Sequence, residues 1–248
     1  MSPKFDLNTI KYSVDQVTFD KAVGLYERGK VGEFREDEYF YHAVVQGTEK
    51  YNVTVSRKGI SRGECDCYLG QREILCKHVI AVALMAVLSG RAMENEEKIV
   101  PGAEIKFNGR LGELSITELT EFKQTITEAL RYIKSYNGPS RTWFDYQDSL
   151  NQGCRRMSAL VSELPTSPQT TDLLVKLLLR LDRKLSNAVD DSDGVVGGFM
   201  TELVELLEKF TDVDQNCIKS FKILCGISSM FGWEEPLVEI YSQKIASK

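Results

Sequence analysis

From Thr18 to Arg28 apolar residues recur at helical spacing: Phe19, Ala22, Val23 and Tyr26 share one face, and Gly29 stands where the helix would close. The period then drops to two. Tyr39–Val45 is a run of aromatic and β-branched residues, residues 47–50 have turn composition, and Tyr51–Arg57 alternates with Tyr51, Val53 and Val55 on one side. A third short strand is predicted from Gly59 to Cys65. Residues 39–65 therefore predict a small antiparallel sheet, whereas residues 1–17 carry no clear pattern. Val79–Leu88 is apolar throughout, so it predicts a helix buried on several sides. A small sheet covers only part of such a helix. The expectation is that it lies wedged between that sheet and the helices that follow.

Those helices are announced by stripes. Ser115-Ile116-Thr117-Glu118 has the spacing of a capping box. Behind it Leu119, Phe122, Ile126, Leu130 and Ile133 form one stripe, ended by Asn137-Gly138-Pro139. Tyr146, Leu150, Cys154, Met157 and Val161 form a second, and Leu174, Leu178, Leu181 and Leu185 a third. Leu203, Leu206, Leu207 and Phe210 make a fourth. Ile218, Phe221 and Cys225 suggest a fifth, and Leu237, Tyr241 and Ile245 a sixth. Leu173, Leu177 and Leu179 give the third helix extra apolar surface and a central place. Inter-helix spacings vary and no motif recurs, so no repeat of the solenoid kind is evident. The predicted class is α+β: a small antiparallel sheet with a helix over residues 1–90, a connector over 91–114, and a helical bundle over 115–248.

Composition narrows the picture. At 42% hydrophobic and 27% charged the chain supports a packed core. The net charge is −5, and it is unevenly placed: residues 1–90 carry 12 basic and 12 acidic side chains, residues 91–248 carry 19 and 24. That balance disfavours non-specific nucleic-acid binding, which needs basic surface. The longest apolar run is about half of what a membrane span requires. Met1–Ile10 has no apolar core of the signal-peptide kind, so the expected location is the reducing cytoplasm, where clustered cysteines favour metal over disulfides.

The chemistry is concentrated at Cys65, Cys67, Cys76 and His78, in the pattern Cys-x-Cys-x8-Cys-x-His, in a chain with six cysteines and two histidines. Thiolate and imidazole are preferred zinc ligands, and four of them close a tetrahedral shell. Residues two apart in a strand point the same way, so Cys65 and Cys67 can grip one ion from a strand end. Residues two apart in a helix point about 200° apart. Cys76 is therefore expected at a helix entrance and His78 in the first turn. Four ligands leave no open position for a catalytic water, and no His-Glu-x-x-His motif, deaminase signature, phosphate loop or Gly-x-Ser-x-Gly motif is present. The expectation is a non-enzyme.

This stretch resembles the SWIM zinc-finger family, whose signature is Cys-x-Cys, a variable spacer and Cys-x-His on a small ββα unit. The apolar helix after His78, the helix over Phe19–Gly29 and the segments Ala43–Gly47 and Tyr51–Val55 also look like SWIM regions of bacterial proteins. The resemblance implies one structural Zn²⁺ and a role in binding DNA or protein, often beside helicase-like ATPases, transposases or recombination factors.

Other features read as structural. Asp190–Gly194 fails as an EF-hand, since Val189 and Met200 would occupy its first and last ligand positions; a helix-connecting acidic turn, or a partner contact, remains. Asp212-x-Asp214-x-Asn216 fails because Cys217 replaces the needed glycine. Cys154, Cys217 and Cys225 lie on apolar stripes and read as buried free thiols. His42 reads as a strand residue, Trp143 and Phe144 as packing residues. Arg57, Lys58, Arg62, Arg72 and Lys77 are the candidate nucleic-acid contacts. Glu64, Asp66, Glu73 and the negative zinc–thiolate centre offset them, leaving about +1 locally. The reading favoured by the sequence is a zinc-dependent protein–protein adaptor; the alternative is a DNA-binding accessory factor working with an ATPase. No small-molecule substrate is evident.

Overall fold

The computed structural model describes residues 2–100, 102, 104–139 and 143–246, except the side chains of Arg62, Phe144, Asp145, Ile245 and Ala246. The chain divides into two compact units, Met1–Pro101 and Gly102–Lys248, each with its own core.

The first unit holds helices α1 (Leu7–Tyr12) and α2 (Gln16–Glu27), strands β1 (Val31–Glu36), β2 (Phe40–Gln46), β3 (Lys50–Ser56) and β4 (Gly59–Cys65), and helix α3 (Lys77–Leu88). The four strands form an antiparallel meander in sequence order. Register follows the predicted alternation. Tyr41 faces Val55, Ala43 faces Val53 and Val45 faces Tyr51, and these residues supply the inner face on which α3 lies. Val53 pairs with Cys65, so the last residue of β4 reaches the inner face as well. Gly63 permits the close approach of α3: a Cβ there would overlap the Val79 side chain.

Two elements of this unit are additions to the sequence reading. In β1 only Val31 is buried, and a bulge with Glu33 at φ 50° breaks its register, so the strand shows no alternation. In α1, capped by Asp6, the buried residues are Ile10 and Lys11, too few for a stripe. These short helices change the account of α3. Its buried residues run from His78 to Leu84 and include Leu88. What covers them is the sheet on one side and α1 and α2 on the other, all within the first unit. Within the first unit, α3 thus lies between the sheet and two helices, which cover more of its apolar surface than the sheet alone. Residues 91–100 strap the outside of α2: the Tyr26 hydroxyl donates to the Arg91 carbonyl at 2.6 Å, the Val100 amide donates to Gln16 Oε1 at 2.7 Å, and Met93 is buried.

The second unit is a helical bundle of α4 (Ile116–Ala129), α5 (Trp143–Ser162), α6 (Pro168–Leu185), α7 (Val195–Val213) and α8 (Glu235–Ala246). The capping box at Ser115 and Glu118 is formed as its spacing predicts. The fifth stripe is a 3-10 helix, Gln215–Leu224, not an α-helix. Its buried face is Ile218, Phe221 and Leu224, at period three; Cys225 therefore falls off that face and is exposed, whereas Cys154 and Cys217 are buried. The acidic turn is a structural connector. Asp190 accepts from the Trp143 indole N–H at 2.9 Å, and the Asp191 carboxylate accepts from the amides of Val196 and Gly197, both at 2.8 Å, capping α7. Asp214 likewise caps the 3-10 helix through the Asn216 amide. Phe144 and Ile245 lie outside the described side chains. No helix among the described residues is long and apolar enough to cross a membrane.

Candidate metal centre

β4 ends at Cys65 and the chain turns sharply through a knuckle before α3 begins. Cys67 lies in that knuckle, a single 3-10 turn follows at Gly70–Arg72, and Cys76 is the N-cap of α3 with extended backbone. His78 is the second residue of the helix. The geometric constraint on the Cys-x-His pair is thus met as expected: one ligand precedes the helix axis and the other lies in its first turn.

The ligand atoms of Cys65, Cys67, Cys76 and His78 all lie within 4.8 Å of one another, and all four side chains are buried. His78 turns Nδ1 toward the sulfurs, 3.7 Å from Cys65 Sγ and 3.9 Å from Cys76 Sγ. With Zn–S near 2.3 Å and Zn–N near 2.0–2.1 Å, a tetrahedron has S···N edges of about 3.6 Å. The donor set therefore fits one Zn²⁺, with Nδ1 as the imidazole ligand. Backbone amides complete the knuckle: the Cys67 N–H donates to Cys65 Sγ at 3.5 Å, and the Gly70 N–H donates to Cys67 Sγ at 3.4 Å. Such bonds favour the thiolate form that a metal needs. The Cys76 thiol is held well below its ordinary value, first by the hydrogen bond from the Cys65 thiol and further by His78 and the Val79 amide. Cys65 is pushed up by that same shared proton and by burial. A bound Zn²⁺ would take the place of that proton, with Cys65 and Cys76 both as thiolate ligands.

The supporting residues were not legible as such in the sequence. Gly70 approaches so closely that a Cβ would overlap the Cys65 carbonyl. The Tyr51 ring stacks on the His78 imidazole, with centroids 4.4 Å apart and planes at 24°. His78 Nε2 is buried with no hydrogen-bond partner among the described residues, and a Cβ on Gly47 would come within 2.9 Å of it. Asp66, read only as an offsetting charge, ties the knuckle to β3 by accepting from the Asn52 amide at 3.0 Å and from Asn52 Nδ2 at 2.8 Å. Asn52, Tyr51 and Gly47 lie 13 residues or more from the ligands they support, so no local motif announces them; only Asp66 and Gly70 are local to the knuckle.

Among the described residues, the candidate nucleic-acid contacts fall at two ends of the finger, Arg57 and Lys58 beside the β3–β4 turn and Arg72 and Lys77 beside the knuckle. Arg57 is buried at the far end of the hairpin, where its guanidinium donates to Glu36 at 2.6 Å and to the Asp37 carbonyl at 2.7 Å and lies 4.6 Å from the Tyr41 ring centroid. Lys58 is exposed in the β3–β4 turn, about 20 Å from the knuckle along β4. Arg72 stacks over Tyr68 at 4.1 Å, and Lys77 is half-buried at the start of α3. Arg62 has no described side chain. His42 is a strand residue whose Nε2 meets Asp37 Oδ2 at 2.9 Å.

Residues 45–86 match the family model of the SWIM zinc finger. That span covers the end of β2, β3, β4, the knuckle and most of α3, and it contains all four ligands. The chain therefore carries a SWIM zinc finger, a Cys3His site for one structural Zn²⁺. No curated protein and no solved structure matches the chain.

Proposed function

We propose that this is a non-enzymatic protein–protein adaptor, in which zinc fixes the shape of the finger and the finger's knuckle meets a protein partner. The observation that carries this reading is the loop between the two ligand pairs. It turns Tyr68, Leu69 and Ile74 outward at 65%, 41% and 51% exposure, beside a closed and buried donor set. Large apolar side chains held outward by a rigid metal loop suit recognition of a protein surface. Four protein ligands leave no coordination site for a reacting water, which favours a structural over a catalytic zinc. The alternative, a DNA-binding accessory factor acting with an ATPase, ranks lower because Arg57 is committed to Glu36 and Asp37 and Lys58 lies at the far end of β4 from Arg72 and Lys77.

The test is a photo-crosslinking residue at Tyr68 in the full, zinc-loaded chain inside its own cells. We expect one recurrent protein adduct, lost on Ile74→Asp while zinc content stays unchanged. Absence of any protein adduct contradicts the adaptor reading. DNA binding at low salt that is lost on Arg72→Gln and Lys77→Gln replaces it with the nucleic-acid one.

A further inference from the structure

The second unit contains a cavity of about 480 Å³ lined by four cations, Lys134, Arg180, Arg183 and Lys184, together with Ser135 and Asn187; no carboxylate lines it. Arg180, Arg183 and Lys184 fall at helical spacing on the last turns of α6, Asn187 follows just beyond its C-cap, and Lys134 comes from the turn after α4. Lys184 is fixed in place, its ammonium donating to the Ile133 carbonyl at 2.6 Å. None of the four makes an ion pair among the described residues. One turn earlier on the same helix, Lys176 is paired with Asp172 at 2.6 Å.

Cations near a helix C-terminus offset its dipole, and Arg183 uses one N–H this way, donating to the Leu179 carbonyl at 3.2 Å. That explains one or two cations on α6. It does not explain Lys134, which belongs to another element, nor four like charges around one hollow without a counter-ion. Burial and the neighbouring Arg180 charge both lower the Lys184 pKa, so the repulsion is felt within the site. The cluster stands out in a unit where acidic side chains outnumber basic ones, 21 to 17 over residues 102–248.

We propose that this cavity binds the phosphate group of a small phosphorylated ligand. Guanidinium forks match phosphate oxygens in pairs, and Lys184 and Lys134 add point charges. The volume lies in the range of small-ligand pockets. The confinement of the charge to one hollow in an acidic domain favours a compact anion over an extended polyanion.

Pyrophosphate is the probe, titrated calorimetrically into the full zinc-loaded chain at low ionic strength. We expect saturable one-site binding, weakened at least about tenfold by Arg180→Gln with Arg183→Gln. The same charge loss at Lys219→Gln with Lys222→Gln, on the 3-10 helix, should leave it unchanged. If the arginine variant melts early without ligand, the exposed Lys134→Gln is read instead and should weaken binding severalfold. No saturable binding to the wild type, or equal weakening in the control, overturns the proposal. Tighter binding of an oligonucleotide than of pyrophosphate, with a steep salt dependence, overturns it in favour of an extended nucleic-acid surface.

Discussion

At the scale of single residues the zinc site depends on groups that carry no metal-binding chemistry. Gly70 is the sharpest case. Its Cα faces the Cys65 carbonyl with no room for a methyl group, and its amide donates to Cys67. A side chain there must push the knuckle off both sulfurs. We predict that Gly70→Ala costs about 1–3 kcal/mol or more of stability in the first unit and lowers zinc occupancy, measured by metal analysis alongside thermal melting. Unchanged metal content and melting would mean that the knuckle tolerates a different path. The ligands could be read from spacing because each carries its chemistry in its own side chain. Gly70, Gly47 and Tyr51 could not, because their roles arise only from what the fold brings against them. Cys225 shows the converse: its place on a stripe assumed an α-helix, and a period of three moved it to the surface.

At the scale of elements, the strands facing α3 were legible because one face is buried and the other wet. β1 was not, because five of its six residues are exposed and its bulge breaks the period. The helices of the second unit were legible from stripes and caps, while the role of its acidic turn emerged only from contacts. Asp190 joins the N-terminus of α5 to the turn before α7 through Trp143. Its pKa lies below the ordinary 3.8, first through the Ser192 hydroxyl and then through the Trp143 indole. A group depressed in the folded state contributes stability above its unfolded pKa and loses it as pH falls through the lower folded value. In a Trp233→Phe background, Trp143 fluorescence should stay constant as pH falls through 3.8 and change only below it, and Asp190→Asn should remove the transition. A midpoint at or above 3.8 would contradict the contact.

At the scale of the whole molecule, two cores share one chain, and only the first contains the metal site. The second core is the larger, and its two buried cysteines have no part in zinc binding. Burial pushes the Cys154 thiol well up from its ordinary value and so keeps it unreactive. Thiol counting therefore separates the units. In the native zinc-loaded chain we predict that Cys225 alone reacts readily. A chelator should add Cys65, Cys67 and Cys76, and denaturant should add Cys154 and Cys217. Labelling of the three ligand cysteines as fast as Cys225 before chelation would contradict the buried site. Labelling of Cys154 on chelation alone would show that the second core depends on the metal.

The central claim is that three thiolates and one imidazole close a structural zinc shell. Folding free energy on the order of 10 kcal/mol or more is available from such a site. X-ray absorption at the zinc edge of the purified full chain reads that shell directly. We predict one zinc per chain with three sulfurs near 2.3 Å and one nitrogen near 2.0–2.1 Å, and loss of the nitrogen shell or of the metal on His78→Ala. An oxygen in the first shell of the wild type, or a chain that folds and melts identically with no zinc bound, would contradict it.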